Sequence, residues 1–307
     1  MKILKLSPLL LSLSCAIGVN QARVRPHRIQ RTELEDNVCR VSNFRSEQEA
    51  LDYLDRRHHP NGFVFGEAHL RRPNPYLTNL QRFALRIVPW LHSKGINDVA
   101  IEYLPNSPDL NQTLSTRYSS GTLDQFVYDY HGRRAESCGL TATIETCLNY
   151  GMTIYGTHYH RAPHYDIFSN PHLFISTSSL QFIRSSVYAN RKFAIFGGWN
   201  HFNRYPARNV RNLSVADNIE GLPNARIVHI NFLTPPQDTY SSEDPTRNFF
   251  PGNLSNYAPT QGVNIVRHPS SEHYPEYSMF FPRETSPFPA QCRQIELSPW
   301  ELMRGNY

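Results

Sequence analysis

An α/β fold, with a mostly parallel central sheet and helices on both faces, is predicted by two features of the sequence. Segments of helical period alternate with short apolar segments from about residue 46 to 233. The apolar segments are continuous runs rather than alternating ones, as expected for strands buried on both sides.

Taken in order, Ser46-x-x-Glu49 forms a capping box that opens a helix to about Arg57. GFVF (62–65) follows as a strand. Thr78-x-x-Gln81 opens a second helix, with Leu77, Leu80, Ala84, Ile87, Val88 and Leu91 at helical spacing. Pro89 is placed to kink it and Gly95 to cap it. DVAIEYL (98–104) is the next strand, stopped by Pro105. Thr122-x-x-Gln125 opens a short helix, and LTATIETCLNY (140–150) forms another, capped by Gly151. MTIYG (152–156) is a strand, and Ser178-x-x-Gln181 opens a helix to about Asn190. KFAIFGG (192–198) and ARIVHINFL (225–233) are further strands, and GVNIV (262–266) offers a sixth. From about Thr234 the chain is rich in Pro, Ser and Asn and specifies no clear period.

Length and composition set the frame. The 307 residues suit one large α/β domain or two small ones, and 39% hydrophobic with 19% charged residues is ordinary for a globular chain. Lys2 and Lys5 precede LSPLLLSLSCAIGV, too short to span a bilayer comfortably, with a small-x-small cleavage pattern ending at Ala16 and Ala22 as the fallback. Residues 1–22 therefore read as an export signal, and 23–307 as a single α/β domain with an irregular, Pro-rich part from about 234. The location expected is secreted or periplasmic, with no integral membrane segment after signal removal. The net charge is +5, and RVRPHRIQR (23–31) is the only dense basic run. It reads as a solvated arm, so no nucleic-acid partner is expected. Cys39, Cys138, Cys147 and Cys292 suggest two disulfides in an exported chain, with free buried thiols as the alternative. Glycosylation-type triplets begin at Asn111, Asn212 and Asn253.

Ligands of open parallel sheets bind beyond the carboxyl ends of the strands. Here four strands deliver ionisable groups to that edge. FVF runs into Gly66-Glu67-Ala68-His69, and VAIEYL carries Glu102. MTIY runs into Gly156-Thr157-His158-Tyr159-His160, and FAIF into Gly197-Gly198-Trp199-Asn200-His201. A carboxylate inside a buried strand is costly unless paired, hydrogen-bonded or metal-bound. For Glu102 the bland alternative is a salt bridge to Arg82 or Arg86. Gly66 and Gly198 let the backbone approach a ligand closely.

Glu67 and His69 thus form one corner of a polar site at these strand ends. Two histidines and one or two carboxylates are a normal nitrogen–oxygen set for zinc, manganese or iron, with His158 and His160 as additional ligands. A metal would generate hydroxide, and a metal-free Glu–His pair would act as general base. Both routes are hydrolytic.

FGEAH and FGGWNH are Gly-x-x-His motifs with the glutamate of IEYLP between them. Over roughly residues 60–235 this resembles the superfamily of erythromycin esterases, Tiki and TraB proteins and haem-binding ChaN lipoproteins. It is similar also to the related domain of dermonecrotic Pasteurella-type toxins. The resemblance implies an α/β fold with Glu67, His69, Glu102 and His201 facing one cleft, and an accompanying arginine at Arg71, Arg72 or Arg82. It implies a hydrolase of small-molecule or peptide substrates. The alternatives are a haem- or ligand-binding protein, with Tyr103, Tyr155 or Tyr159 as iron ligands, and a secreted toxin-like protein acting on a host protein.

Overall fold

The computed structural model describes residues 41–67, 79–131, 134–158, 171–202, 214–219, 221–233, 257–268, 270 and 273–282. The export-signal residues, Cys39, His69, Arg71, Arg72, Tyr159, His160, Asn212, Asn253 and Cys292 lie outside them.

Strand β1 (Val41–Phe44) leads into helix α1 (Glu47–His58). The Ser46 hydroxyl accepts from Glu49 N at 3.2 Å, and the Glu49 carboxylate accepts from Arg45 N at 2.7 Å. The expected capping box is present, with its return bond made one residue upstream. After β2 (Gly62–Glu67), a helical run over 79–93, α2, has three parts: Asn79–Arg82, a π-turn at Phe83–Ile87, and Val88–Ser93. Val88 N–H bonds Phe83 O, five residues back. Pro89 explains the widening, since it offers no N–H and its ring presses on the carbonyl four residues before it.

Then follow β3 (Asp98–Pro105), α3 (Leu110–Ser119), α4 (Leu123–His131), α5 (Arg134–Asn149) and β4 (Thr153–His158). Helix α6 (Pro171–Tyr188) precedes β5 (Phe193–Gly198), whose end turns through a 3₁₀ segment, Trp199–His201. Helix α7 (Val215–Ile219), β6 (Ile227–Leu233), β7 (Val263–Arg267) and β8 (Glu276–Phe280) complete the described elements.

Three elements depart from expectation. Helix α6 begins at Pro171, so Ser178 lies inside it and is no N-cap; proline at the first helical position was the true start signal. Helix α3 carries only Leu110 and Leu114 as buried apolar residues, too few to show a period. Its Asn111 side chain bonds both Ile154 O (2.7 Å) and Ile154 N (2.8 Å), covering part of the exposed edge of β4. Beyond residue 234, GVNIV forms β7 as expected, whereas β8, which no period announced, joins the sheet beside it.

The eight strands form one sheet in the order β1-β7-β8-β6-β2-β5-β3-β4. Only the β1–β7 and β7–β8 pairings are antiparallel. One face packs Phe63, Phe65, Ile101 and Phe196 against Leu51, Ile87 and Ile144 of α1, α2 and α5. The other packs Val64, Ala100 and Ile195 against Ile183 of α6 and Ile219 of α7. The α/β architecture with both faces covered is the one expected.

Strands β2 and β5 are neighbours. The helix after β2, α2, packs on the first face, and the helix after β5, α7, on the second. Connections that diverge in this way open a crevice at the carboxyl ends of the two strands.

The two-disulfide expectation fails. Cys147 is a free thiol, fully buried on α5, and burial pushes its pKa up to about 12. With one of the four consumed as a core side chain, at most one bond can form among the other three. In the native protein at pH 8, Cys147 should resist iodoacetamide and react fully once guanidinium unfolds the chain. Native-state alkylation at Cys147, read by peptide mass, would contradict this burial.

Candidate functional site

The β2–β5 crevice places Glu67 directly across from Gly198, with Phe232 of β6 on the other side. Because side chains alternate along a strand, Glu67 leaves β2 on the same face as Phe63 and Phe65. It is 4% exposed, and the Tyr103 hydroxyl of β3 donates to its Oε1.

Glu102 precedes Tyr103 and so leaves β3 on the opposite face, also 4% exposed. Its Oε2 accepts from Gly198 N at 2.6 Å, and its Oε1 faces His201 Nε2 at 3.6 Å. Gly197 makes this possible: a Cβ there would stand 2.8 Å from the Glu102 Cβ. His201 is 3% exposed at the end of the 3₁₀ segment. Its Nδ1 lies 3.3 Å from the Ser176 hydroxyl of α6, which closes over this face. Arg82, offered by the sequence as a partner for Glu102, bonds Glu47 at 2.9 Å and lies over the Phe281 ring.

The structure therefore joins Glu102 with His201 and sets Glu67 on the other side of the sheet with Tyr103. His69 and His160 are outside the described residues. His158 ends β4, the edge strand, with β3 between it and β5. Among the described residues no group of three or more His, Cys, Asp or Glu stands ready to hold a metal ion. Of the expected donors, Glu102 and His201 meet among the described residues. Of the expected iron ligands, Tyr103 donates to Glu67, while Tyr155 packs on Phe182 at the opposite face.

A second buried polar row was not anticipated. His229 and Asn231 of β6 lie beside Glu276 and Ser278 of β8, in register. His229 Nδ1 stands 3.6 Å from Glu276 Oε1, and neither of its ring nitrogens has a hydrogen-bond partner among the described residues. His268, after β7, bonds Ser278 at 2.7 Å. The signal was present in HINF, polar residues two apart in an apolar strand, as for Glu102. A Cβ on Gly66 would meet His229 Nε2 and Trp199 Cβ, each at 3.0 Å. Gly66 thus makes room for this row. Tyr274 ties the row to the candidate site by donating to Phe202 O at 3.0 Å, one residue past His201.

No protein-family model and no curated protein matches the chain. Solved structures with a loose likeness include the type III effector HopBA1, at TM-score 0.44 and 13% identity over 80% of this chain and 98% of that one. The C-terminal region of Pasteurella multocida toxin aligns at TM-score 0.36 and 16% identity over 53% of this chain and 22% of that one. The haem-binding ChaN of Campylobacter jejuni aligns at TM-score 0.36 and 13% identity over 63% and 87%. No property of these proteins follows for this chain from likenesses of this depth.

Two outcomes test the geometry. Gly197→Ala forces the Glu102 carboxylate aside and should cost about 1–3 kcal/mol in urea unfolding, whereas Gly221→Ala, in open space, should cost far less. Burial holds His268 neutral, lowering its pKa from 6.5 to about 4, with Glu276 opposing and His229 adding to the fall. The unfolded chain then binds more protons, so the stability contribution is complete above about pH 6.5 and is lost as pH falls toward 4. It amounts to roughly 3 kcal/mol. Urea unfolding of the protein and of His268→Gln at pH 7 and pH 4.5 should show a smaller pH dependence in the variant.

Proposed function

We propose that this chain is an exported hydrolase whose sheet-end crevice activates its attacking group with His201, oriented by Glu102. One observation supports it above the others: a buried carboxylate and a buried imidazole face each other at 3.6 Å beside the β2–β5 crevice. The Gly198 N–H holds the second carboxylate oxygen, so Oε1 stays aimed at His201 Nε2. A proton on Nε2 faces the carboxylate, and Nδ1 is then the basic nitrogen. Imidazole with a fixed tautomer is the ordinary equipment for general-base hydrolysis.

Glu67 and Tyr103 line the other side of the strand ends, and their contact fixes both without drawing on His201. No step is assigned to a metal. Export is supported by the apolar N-terminal sequence and by Cys138, which is disulfide-bonded. No helix among the described residues is long and apolar enough to cross a membrane.

A second reading, a cleft that binds haem or another ligand without turnover, is favoured by one feature. Glu67, Glu102 and His201 are each at most 4% exposed and engaged with neighbours, a finished lining rather than an open base. In that case the partner is a ligand or a host protein, and His201 supports the fold.

The discriminating experiment screens ester and peptide hydrolysis by the mature chain beside His201→Ala, with circular dichroism to confirm folding. The hydrolase reading expects turnover that falls about 10²–10⁴-fold in the variant. Turnover undiminished in a folded His201→Ala protein would remove His201 from the chemistry. No turnover, with a Soret band on haemin titration, would establish the binding reading.

A further inference from the structure

We infer that Ser176 is a nucleophile, so that Ser176, His201 and Glu102 form a serine–histidine–carboxylate relay for acyl transfer to and from esters. The inference rests on the hydrolytic reading and names the group that attacks. Its first support is a hydrogen bond that leaves its own helix. Buried hydroxyls inside helices commonly turn back to the carbonyl four residues earlier. Thr143 does so to Gly139 O at 2.8 Å and Thr146 to Ala142 O at 2.7 Å. Ser176 instead points across to His201 Nδ1 at 3.3 Å, joining α6 to the 3₁₀ segment after β5.

The second support is the order of groups. Glu102 faces Nε2 and Ser176 faces Nδ1, so the two ring nitrogens are divided between an acid and a hydroxyl. A carboxylate on one side favours the proton there and leaves the other nitrogen to accept from the hydroxyl. This is the relay's logic, with the two nitrogens exchanged relative to the familiar protease arrangement. Leu173, three residues before it and so on the same face of α6, stands 50% exposed and offers an apolar contact for an ester's acyl group.

In the reaction, Ser176 Oγ bonds to the carbonyl carbon as its proton passes to His201 Nδ1. The carbon–alkoxide bond then breaks and the departing alcohol takes that proton. Water next attacks the acyl-serine, giving its proton to Nδ1. The carboxylic acid leaves as Oγ recovers a proton from the imidazole. No oxidant, reductant or cofactor enters the balance.

The test is labelling of the full mature chain with a fluorophosphonate, followed by intact-mass and peptide mapping, together with hydrolysis of p-nitrophenyl butyrate. One adduct per chain at Ser176, absent from Ser176→Ala and from His201→Gln, is the expected result. Butyrate hydrolysis should fall at least about 10³-fold in Ser176→Ala, as it does when the nucleophile of such a unit is removed. An adduct that persists unchanged in His201→Gln, or none in the active protein, overturns the relay. Should Ser176→Ala hydrolyse the ester normally while His201→Gln does not, water is the nucleophile: the inference fails and the hydrolytic reading stands. If neither variant nor parent turns over or labels, both fail. Circular dichroism on each variant separates these outcomes from misfolding.

Discussion

Glu102 imposes the constraint on which the rest of the site depends. A carboxylate on a central strand pays several kcal/mol in lost hydration unless the protein replaces water with aimed donors. The replacement is supplied by the neighbouring strand: Gly198 N–H meets one oxygen and His201 stands before the other. That in turn requires β5 to lie beside β3, and Gly197 to carry no Cβ where the glutamate crosses. The glycine pair that ends β5 is thus explained by a side chain nearly a hundred residues earlier in the sequence.

The alternation of side chains along a strand then divides the polar groups of the sheet edge. Glu67 and Tyr103 fall on the face of α1, α2 and α5, whereas Glu102, His201 and Ser176 fall on the face of α6. Two carboxylates at the same edge, which look equivalent in the chain, are therefore given separate partners. The buried row through His229, Glu276 and His268 belongs to the second face and reaches the 3₁₀ segment through Tyr274 and Phe202.

Legibility differed by element for physical reasons. Strands β2, β3 and β5 are apolar on both faces, so their runs announced themselves, and a lone Glu102 within one stood out against them. Strand β8, EYSMF, carries Glu276 and Ser278 on the face where it meets His229 and Asn231, so its mixed composition hid it. Helix α3 buries two leucines and does its work with Asn111, a contact to strand backbone that no periodicity records. Ser178 resembled a helix cap because Gln181 follows at the right distance, yet α6 had already begun at Pro171.

By itself the sequence determined the α/β class, the strands that carry Glu67 and Glu102, and the arrival of their ionisable groups at one sheet edge. These are local properties: apolar runs, turn glycines and their spacing repeat along the chain itself. Only the tertiary structure decided which groups meet. It put β5 between β2 and β3, sent Glu67 and Glu102 to opposite faces, and brought Ser176 of a surface helix to the far side of the His201 ring. Strand order and the packing of helices on one face or the other depend on burial summed over the whole chain, and no short stretch of residues contains that sum.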